Sequence, residues 1–141
     1  MKTLIVEDDY TSRLLLQEII KGFGKSDVAE NGREAIVAVR EALDAKSPYD
    51  LICMDIMMPE MNGQEALVEI RRIEEQRGVQ VGKGAKILMT TALGDKDNIM
   101  SAFKAQCDGY LVKPIQKRKF LEFLEQLNLI ECPTPPRPSE N

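Results

Sequence analysis

Histidine and tryptophan are absent from this chain of 141 residues, and aromatic side chains make up only 5% of it. Without a histidine, Ser-His-Asp and Cys-His catalysis, histidine-ligated zinc and a phosphohistidine intermediate are all excluded within the chain. Any histidine chemistry has to arrive on a partner. Cysteine is scarce as well. Cys53, Cys107 and Cys132 lie far apart with no C-x-x-C pair, so no zinc or dithiol redox site is indicated and free, mostly buried thiols are expected. No apolar run approaches the roughly 20 residues that cross a bilayer. Met1-Lys2-Thr3 leads directly into strand-like sequence without a signal-peptide pattern, and a cytoplasmic protein with no membrane partner is expected. A formal charge of −4 supplies no basic surplus, which argues against direct contact with nucleic acid.

What is present fits one domain able to bury its own core, and short apolar runs alternate with amphipathic segments. Thr3-Leu4-Ile5-Val6 reads as a buried strand running into Glu7-Asp8-Asp9. Thr11 or Ser12 is expected to cap a helix with Leu15, Leu16, Ile19, Ile20 and Phe23 at helical spacing, ended by Gly22 and Gly24. Ser26 to Glu30 is a second strand, and Asn31-Gly32 opens a helix carrying Ala35, Ile36, Val39 and Leu43 on one face. Leu51-Ile52-Cys53-Met54-Asp55 is a strand apolar up to its last residue, as in parallel sheets buried on both faces. Gly63 to about Gln76 forms an amphipathic helix. Gly78 to Ala85 is a surface loop, since it lacks the spacing of a phosphate-binding loop. Lys86 to Thr91 is the fourth strand, Asp95 or Asp97 caps a fourth helix through Ile99, Met100, Phe103 and Cys107, and Gly109 to Val112 is the fifth strand, followed by Lys113-Pro114. Phe120, Phe123, Leu124 and Leu127 mark the fifth helix. The domain is expected over residues 1–129, with a Pro-rich disordered tail over 130–141.

Five strands alternating with five helices imply a doubly wound parallel α/β sheet, whose ligands bind beyond the carboxyl ends of the strands. Those ends carry Asp8 and Asp9, Asp55, Thr91 and Lys113. Alone, Asp55 reads more readily as a turn or cap residue than as a reactive group, Thr91 as an ordinary strand-end hydroxyl, and Tyr110 as a core aromatic. Together they are harder to dismiss. Carboxylates gathered at one edge repel by roughly 4 kcal/mol per pair at about 4 Å with an effective dielectric near 20. Lys113 offsets part of that, and a hard divalent cation, Mg²⁺, suits the remainder. Acids, a hydroxyl, a lysine and Mg²⁺ together suit a phosphoryl group.

Val6-Glu7-Asp8-Asp9, Met54-Asp55-Ile56-Met57-Met58-Pro59-Glu60-Met61-Asn62-Gly63, Thr91-Ala92 and Gly109-Tyr110-Leu111-Val112-Lys113-Pro114, in this order at strand ends, resemble the receiver domain of two-component response regulators, close to the single-domain chemotaxis type. The resemblance covers residues 2 to about 128. It implies a flavodoxin-like sheet in the order 2-1-3-4-5, with Asp55 as the phosphoacceptor. Asp9 and Asp55 with the backbone carbonyl of Met57 would hold Mg²⁺, and Asp8 would act mainly through a water on the ion. Lys113 would pair with a phosphoryl oxygen, aimed by a cis Lys113-Pro114 bond. Thr91 and Tyr110 would form the switch that reshapes an output face made by the fourth helix, fifth strand and fifth helix, roughly Asp95 to Leu127, where an unidentified target protein binds. The phosphodonor would be a histidine kinase or histidine phosphotransfer protein. The protein would be a monomer or a phosphorylation-dependent dimer, and no enzyme beyond its own phosphorylation and dephosphorylation.

Two other functions use similar parts. A haloacid-dehalogenase-like phosphatase also employs an Asp nucleophile with Mg²⁺, but requires a second Asp two residues later as acid and base, where this chain has Met57. A flavodoxin-like FMN carrier would place phosphate against Asp8-Asp9-Tyr10-Thr11-Ser12, a loop with two negative charges. Met57 and Leu93 depart from residues common in the family, and both are expected to affect water access to an acyl phosphate.

Overall fold

A computed structural model describes residues 1–58, 60–92 and 107–130 of the chain. The first apolar run forms strand β1 (Thr3–Val6), buried at every position. Helix α1 (Tyr10–Ile20) follows, and its cap differs from expectation. Asp9, not Thr11 or Ser12, is the N-cap, its carboxylate accepting the Ser12 N–H at 2.9 Å. An aspartate there satisfies a backbone donor that the first helical turn leaves open. Strand β2 (Ser26–Ala29) leads to helix α2 (Gly32–Asp44), capped by Asn31 as its Asn-Gly pair predicts. Ala42 is buried on α2 beside Ala35, Ile36 and Val39, while Leu43 is only partly covered.

Strand β3 (Leu51–Asp55) is buried along its whole length, including its carboxylate. Helix α3 (Gly63–Gln76) has the predicted bounds and starts with a capping box between Asn62 and Glu65. The loop after it is a surface loop, pinned at its far end by the buried Glu74, whose carboxylate accepts the Ala85 N–H at 2.8 Å. Strands β4 (Lys86–Thr91) and β5 (Gly109–Val112) and a C-terminal helix (Lys117–Gln126) complete the described elements. The predicted fourth helix and the Pro-rich tail lie outside the described residues. Cys107 precedes β5 and is half-buried, and Cys53 is buried, both as free thiols.

All pairings are parallel and the sheet order is β2-β1-β3-β4-β5. Alternation along each strand sends side chains to opposite faces, and the core divides accordingly. Leu4, Val6, Ile52, Met54, Ile87 and Met89 pack with α2 and α3. Ile5, Leu51, Cys53 and Leu88 pack with Leu16, Ile19 and Ile20 of α1 and with Phe120 and Leu124 of the C-terminal helix. Full burial of a side chain such as Phe120 or Leu124 contributes about 1.5–3 kcal/mol, enough to hold a short helix against the sheet. Among the described residues no helix is long and apolar enough to cross a membrane.

Candidate functional site

Alternation decides which acids meet. Glu7 stands two residues beyond Ile5, and Asp55 two beyond Cys53, so both lie on the α1 side of the sheet at its carboxyl edge, on adjacent strands. Carboxylate oxygens of Glu7, Asp8 and Asp55 fall within 4.8 Å of one another. Lys113 reaches over β4 into this group, its Nζ 2.7 Å from Glu7 Oε1 and 3.2 Å from Asp55 Oδ2. The contact with Glu7 Oε1 is an ion pair without hydrogen-bond alignment.

Of the expected acids, Asp8 and Asp55 come together, and the third member of the cluster is Glu7. Asp9 is committed to the start of α1, and its pKa is lowered chiefly by the Ser12 backbone N–H it accepts. Its own backbone N–H donates to Glu7 Oε2 at 3.2 Å and helps turn that side chain into the site. Glu7, which the sequence reading did not single out, stands in the cluster beside Asp8 and Asp55. The signal was available in the sequence, because Glu7 sits at the i+2 position from Ile5 on an alternating strand.

Asp55 is only 6% exposed and Glu7 1%. Burial raises the Glu7 pKa to about 7; the Lys113 ammonium opposes that rise and the neighbouring Asp55 adds to it. For Lys113, burial works to lower the pKa, but Glu7 and Asp55 outweigh it and hold the ammonium above its ordinary value. Two acids and one cation thus share a partly dehydrated space.

The segment after β3 is fixed close to Asp55. Met57 N–H donates to Asp55 Oδ1 at 3.3 Å, and the residue is 61% exposed. Gly63 donates its N–H to the Ile56 carbonyl at 2.8 Å, and a Cβ on it would stand 2.4 Å from the Asp55 carbonyl oxygen, so only glycine lets α3 start here. Thr91 ends β4 fully buried, with its hydroxyl 3.3 Å from the Ala92 carbonyl. Tyr110 is 40% exposed on β5, where it pairs in register with Met89. The Lys113-Pro114 bond is cis, as the resemblance implies.

The donor set has the chemistry a hard divalent cation requires: three carboxylates from two adjacent strand ends, converging at one edge. Glu7, Asp8 and Asp55 are the acids that the fold brings within reach of one such ion.

Comparison with known proteins agrees with this geometry. The model of the response regulator receiver domain family matches residues 3–125. The chain is 34% identical over 129 residues to the chemotaxis protein CheY of Thermotoga maritima, in an alignment that covers 90% of this chain and 97% of that protein. Among solved structures, it is similar to the receiver domain of the histidine kinase CKI1 from Arabidopsis thaliana complexed with Mg²⁺ and BeF₃⁻, with a TM-score of 0.76, 26% identity and coverage of 92% of this chain and 90% of that one. It is equally similar, with a TM-score of 0.76 at 25% identity, to the receiver domain of Ssk1 in its co-crystal structure with the Saccharomyces cerevisiae histidine phosphotransfer signaling protein Ypd1, covering 92% of this chain and 89% of that one. With a parallel sheet in the order β2-β1-β3-β4-β5, an acidic cluster at its carboxyl edge and a family match over most of its length, this chain belongs to the response regulator receiver domain family.

Proposed function

We propose that Asp55 accepts a phosphoryl group from a histidine kinase or histidine phosphotransfer protein, and that the modified domain binds a target protein. The observation that carries this is the convergence of Glu7, Asp8, Asp55 and Lys113 at one sheet edge. Asp55 Oδ attacks phosphorus in line, and the bond from phosphorus to the donor histidine nitrogen breaks. Since these 141 residues contain no histidine, the donor histidine lies outside them. Lys113, flexible and compact in charge, leaves its pairing with Asp55 to follow a phosphoryl oxygen.

Glu7, Asp8 and Asp55, with the Met57 carbonyl, would hold Mg²⁺, whose chemistry at this edge is to neutralise charge on the carboxylates and the phosphoryl oxygens. Thr91 turns from the Ala92 carbonyl toward the new phosphate, and Tyr110 moves inward behind it. A few new charge-assisted hydrogen bonds supply the few kcal/mol that bias such a two-state surface. The output face includes β5 and the C-terminal helix; its remaining part falls among residues 93–106, outside the described residues. The protein acts in the cytoplasm as a signalling domain, catalysing nothing beyond its own phosphorylation and dephosphorylation. The exposed Met57 side chain offers no acid or base two residues after Asp55, so turnover of phosphomonoesters is not expected.

Incubation with Mg²⁺ and a small-molecule phosphodonor should add one phosphate to the intact protein, read by mass, and Asp55→Asn should abolish it. Equal phosphate on the substituted protein would remove Asp55 from the acceptor role.

A further inference from the structure

The row of side chains holding Glu7 and Asp55 contains a fourth member without an assigned role. Thr90 is the register partner of Asp55 on β4 and stands two residues beyond Leu88, which packs with the α1-side core. Its side chain therefore shares a face with Asp55, Glu7 and Lys113. Thr90 is 1% exposed, and its hydroxyl makes no hydrogen bond. A buried hydroxyl without a partner carries a desolvation cost that a valine of the same shape would avoid. The cost falls beside the acceptor carboxylate, whose two oxygens are both engaged, Oδ1 by the Met57 N–H and Oδ2 by Lys113.

We propose that the Thr90 hydroxyl donates a hydrogen bond to the Asp55 oxygen that Lys113 gives up once Asp55 carries a phosphoryl group, and that this bond speeds the return of the free carboxylate. The inference rests on the phosphoacceptor role of Asp55. Neighbouring strands lie about 4.7–4.9 Å apart, so register partners on one face stand side by side, and a staggered rotamer of Thr90 turns its oxygen across that gap. During hydrolysis a water oxygen bonds to phosphorus, the bond from phosphorus to the Asp55 oxygen breaks, its electron pair returns to the carboxylate, and the water proton passes to solvent. A donor fixed at the carboxylate stabilises the charge developing on it in that step. Thr90 is thus a hydrogen-bond donor distinct from Thr91, which belongs to the phosphate side of the switch.

The test uses the full chain, phosphorylated with Mg²⁺ and a small-molecule phosphodonor, freed of donor, and followed by intact mass as phosphate is lost. Thr90→Val should lengthen the lifetime of the acyl phosphate about three- to tenfold, the effect of one hydrogen bond. Thr90→Ser, which keeps the hydroxyl, should restore the wild-type lifetime. Unmodified Thr90→Val should be at least as stable to heat as wild type, which separates the effect from damage to the fold. An unchanged or shortened lifetime in Thr90→Val, or an equal change in Thr90→Ser, overturns the assignment while leaving Asp55 as acceptor. Absence of phosphate on the wild-type protein overturns the acceptor reading and this inference together.

Discussion

The two edges of the sheet both bury charge, and they treat it in opposite ways. At the amino edge, Arg71 of α3 is held on every side: Nη1 donates to Glu74 Oε1 and to the Ala85 carbonyl, each at 2.8 Å, and Nη2 meets Asp108 Oδ2 at 3.0 Å. Asp108 also accepts the Ile87 N–H at 2.7 Å, and Glu74 accepts the Ala85 N–H. This network ties α3, β4 and the approach to β5 together, with each charge answered by several fixed partners. At the carboxyl edge, three carboxylates gather, one lysine pairs with two of them, and Glu7 Oε1 has an ion pair without hydrogen-bond alignment. A saturated network fixes a structure; an undersupplied one leaves room for a cation and a new anion. Substitutions at the two edges should therefore separate stability from chemistry.

The largest separation is expected at Lys113. Lys113→Met should slow phosphorylation by a small-molecule donor by about 10²–10³, the usual effect of removing one preorganised charge from a transition state, while the domain still unfolds cooperatively. A rate within a factor of about three of wild type would show that the lysine only neutralises the acids. Arg71→Ala should do the reverse. It leaves Glu74 and Asp108 without their cation and should cost about 2–3 kcal/mol in denaturant unfolding, with the phosphorylation rate unchanged in native buffer. Loss of phosphorylation in folded Arg71→Ala would mean that the edges are coupled.

A smaller effect should appear as pH dependence. The folded pKa of Glu7 is raised, from 4.5 to about 7, mainly by burial. Between those values the native state binds more protons than the unfolded one, so this group's contribution to stability is complete below about 4.5 and is lost as pH rises toward 7. In chelator, unfolding free energy should therefore fall across that window, and Glu7→Gln should flatten the decline. Millimolar Mg²⁺ should oppose it, because a bound cation favours the ionised carboxylates. An identical decline with and without Mg²⁺ would remove Glu7 from the cation site.

Much of this was legible in the sequence, and the exceptions have physical causes. The apolar runs ending in Asp55 and Thr91 identified β3 and β4 because a strand covered on both faces must be apolar throughout, and α3 was bounded by its Asn-Gly start. Lys113 could be placed with Asp55 from topology alone, since parallel strands bring their carboxyl ends to one edge. Glu7 was not singled out because three adjacent acids look equivalent until alternation and capping are considered. Asp9 is drawn to the Ser12 N–H, which leaves Glu7 to face inward. Thr90 was hidden beside Thr91, because only register shows which of two neighbouring threonines stands level with Asp55.

The finest test compares two hydroxyls. Thr3 begins β1 at the amino edge, fully buried, and its hydroxyl, like that of Thr90, makes no hydrogen bond. Both side chains face the α1 side, Thr3 two residues before Ile5 and Thr90 two beyond Leu88. The same cost therefore occurs at both edges, and only its position relative to Asp55 differs. Thr3→Val should stabilise the domain by up to about 1 kcal/mol, as expected when an unsatisfied buried hydroxyl is replaced by a methyl of the same shape, and should leave the acyl-phosphate lifetime at its wild-type value. If Thr3→Val lengthened that lifetime as much as Thr90→Val, the effect would come from general tightening of the sheet, and proximity to the acceptor would lose its explanatory force. If it raised stability alone, the orphan hydroxyl at the carboxyl edge would be separated by experiment from its counterpart at the amino edge.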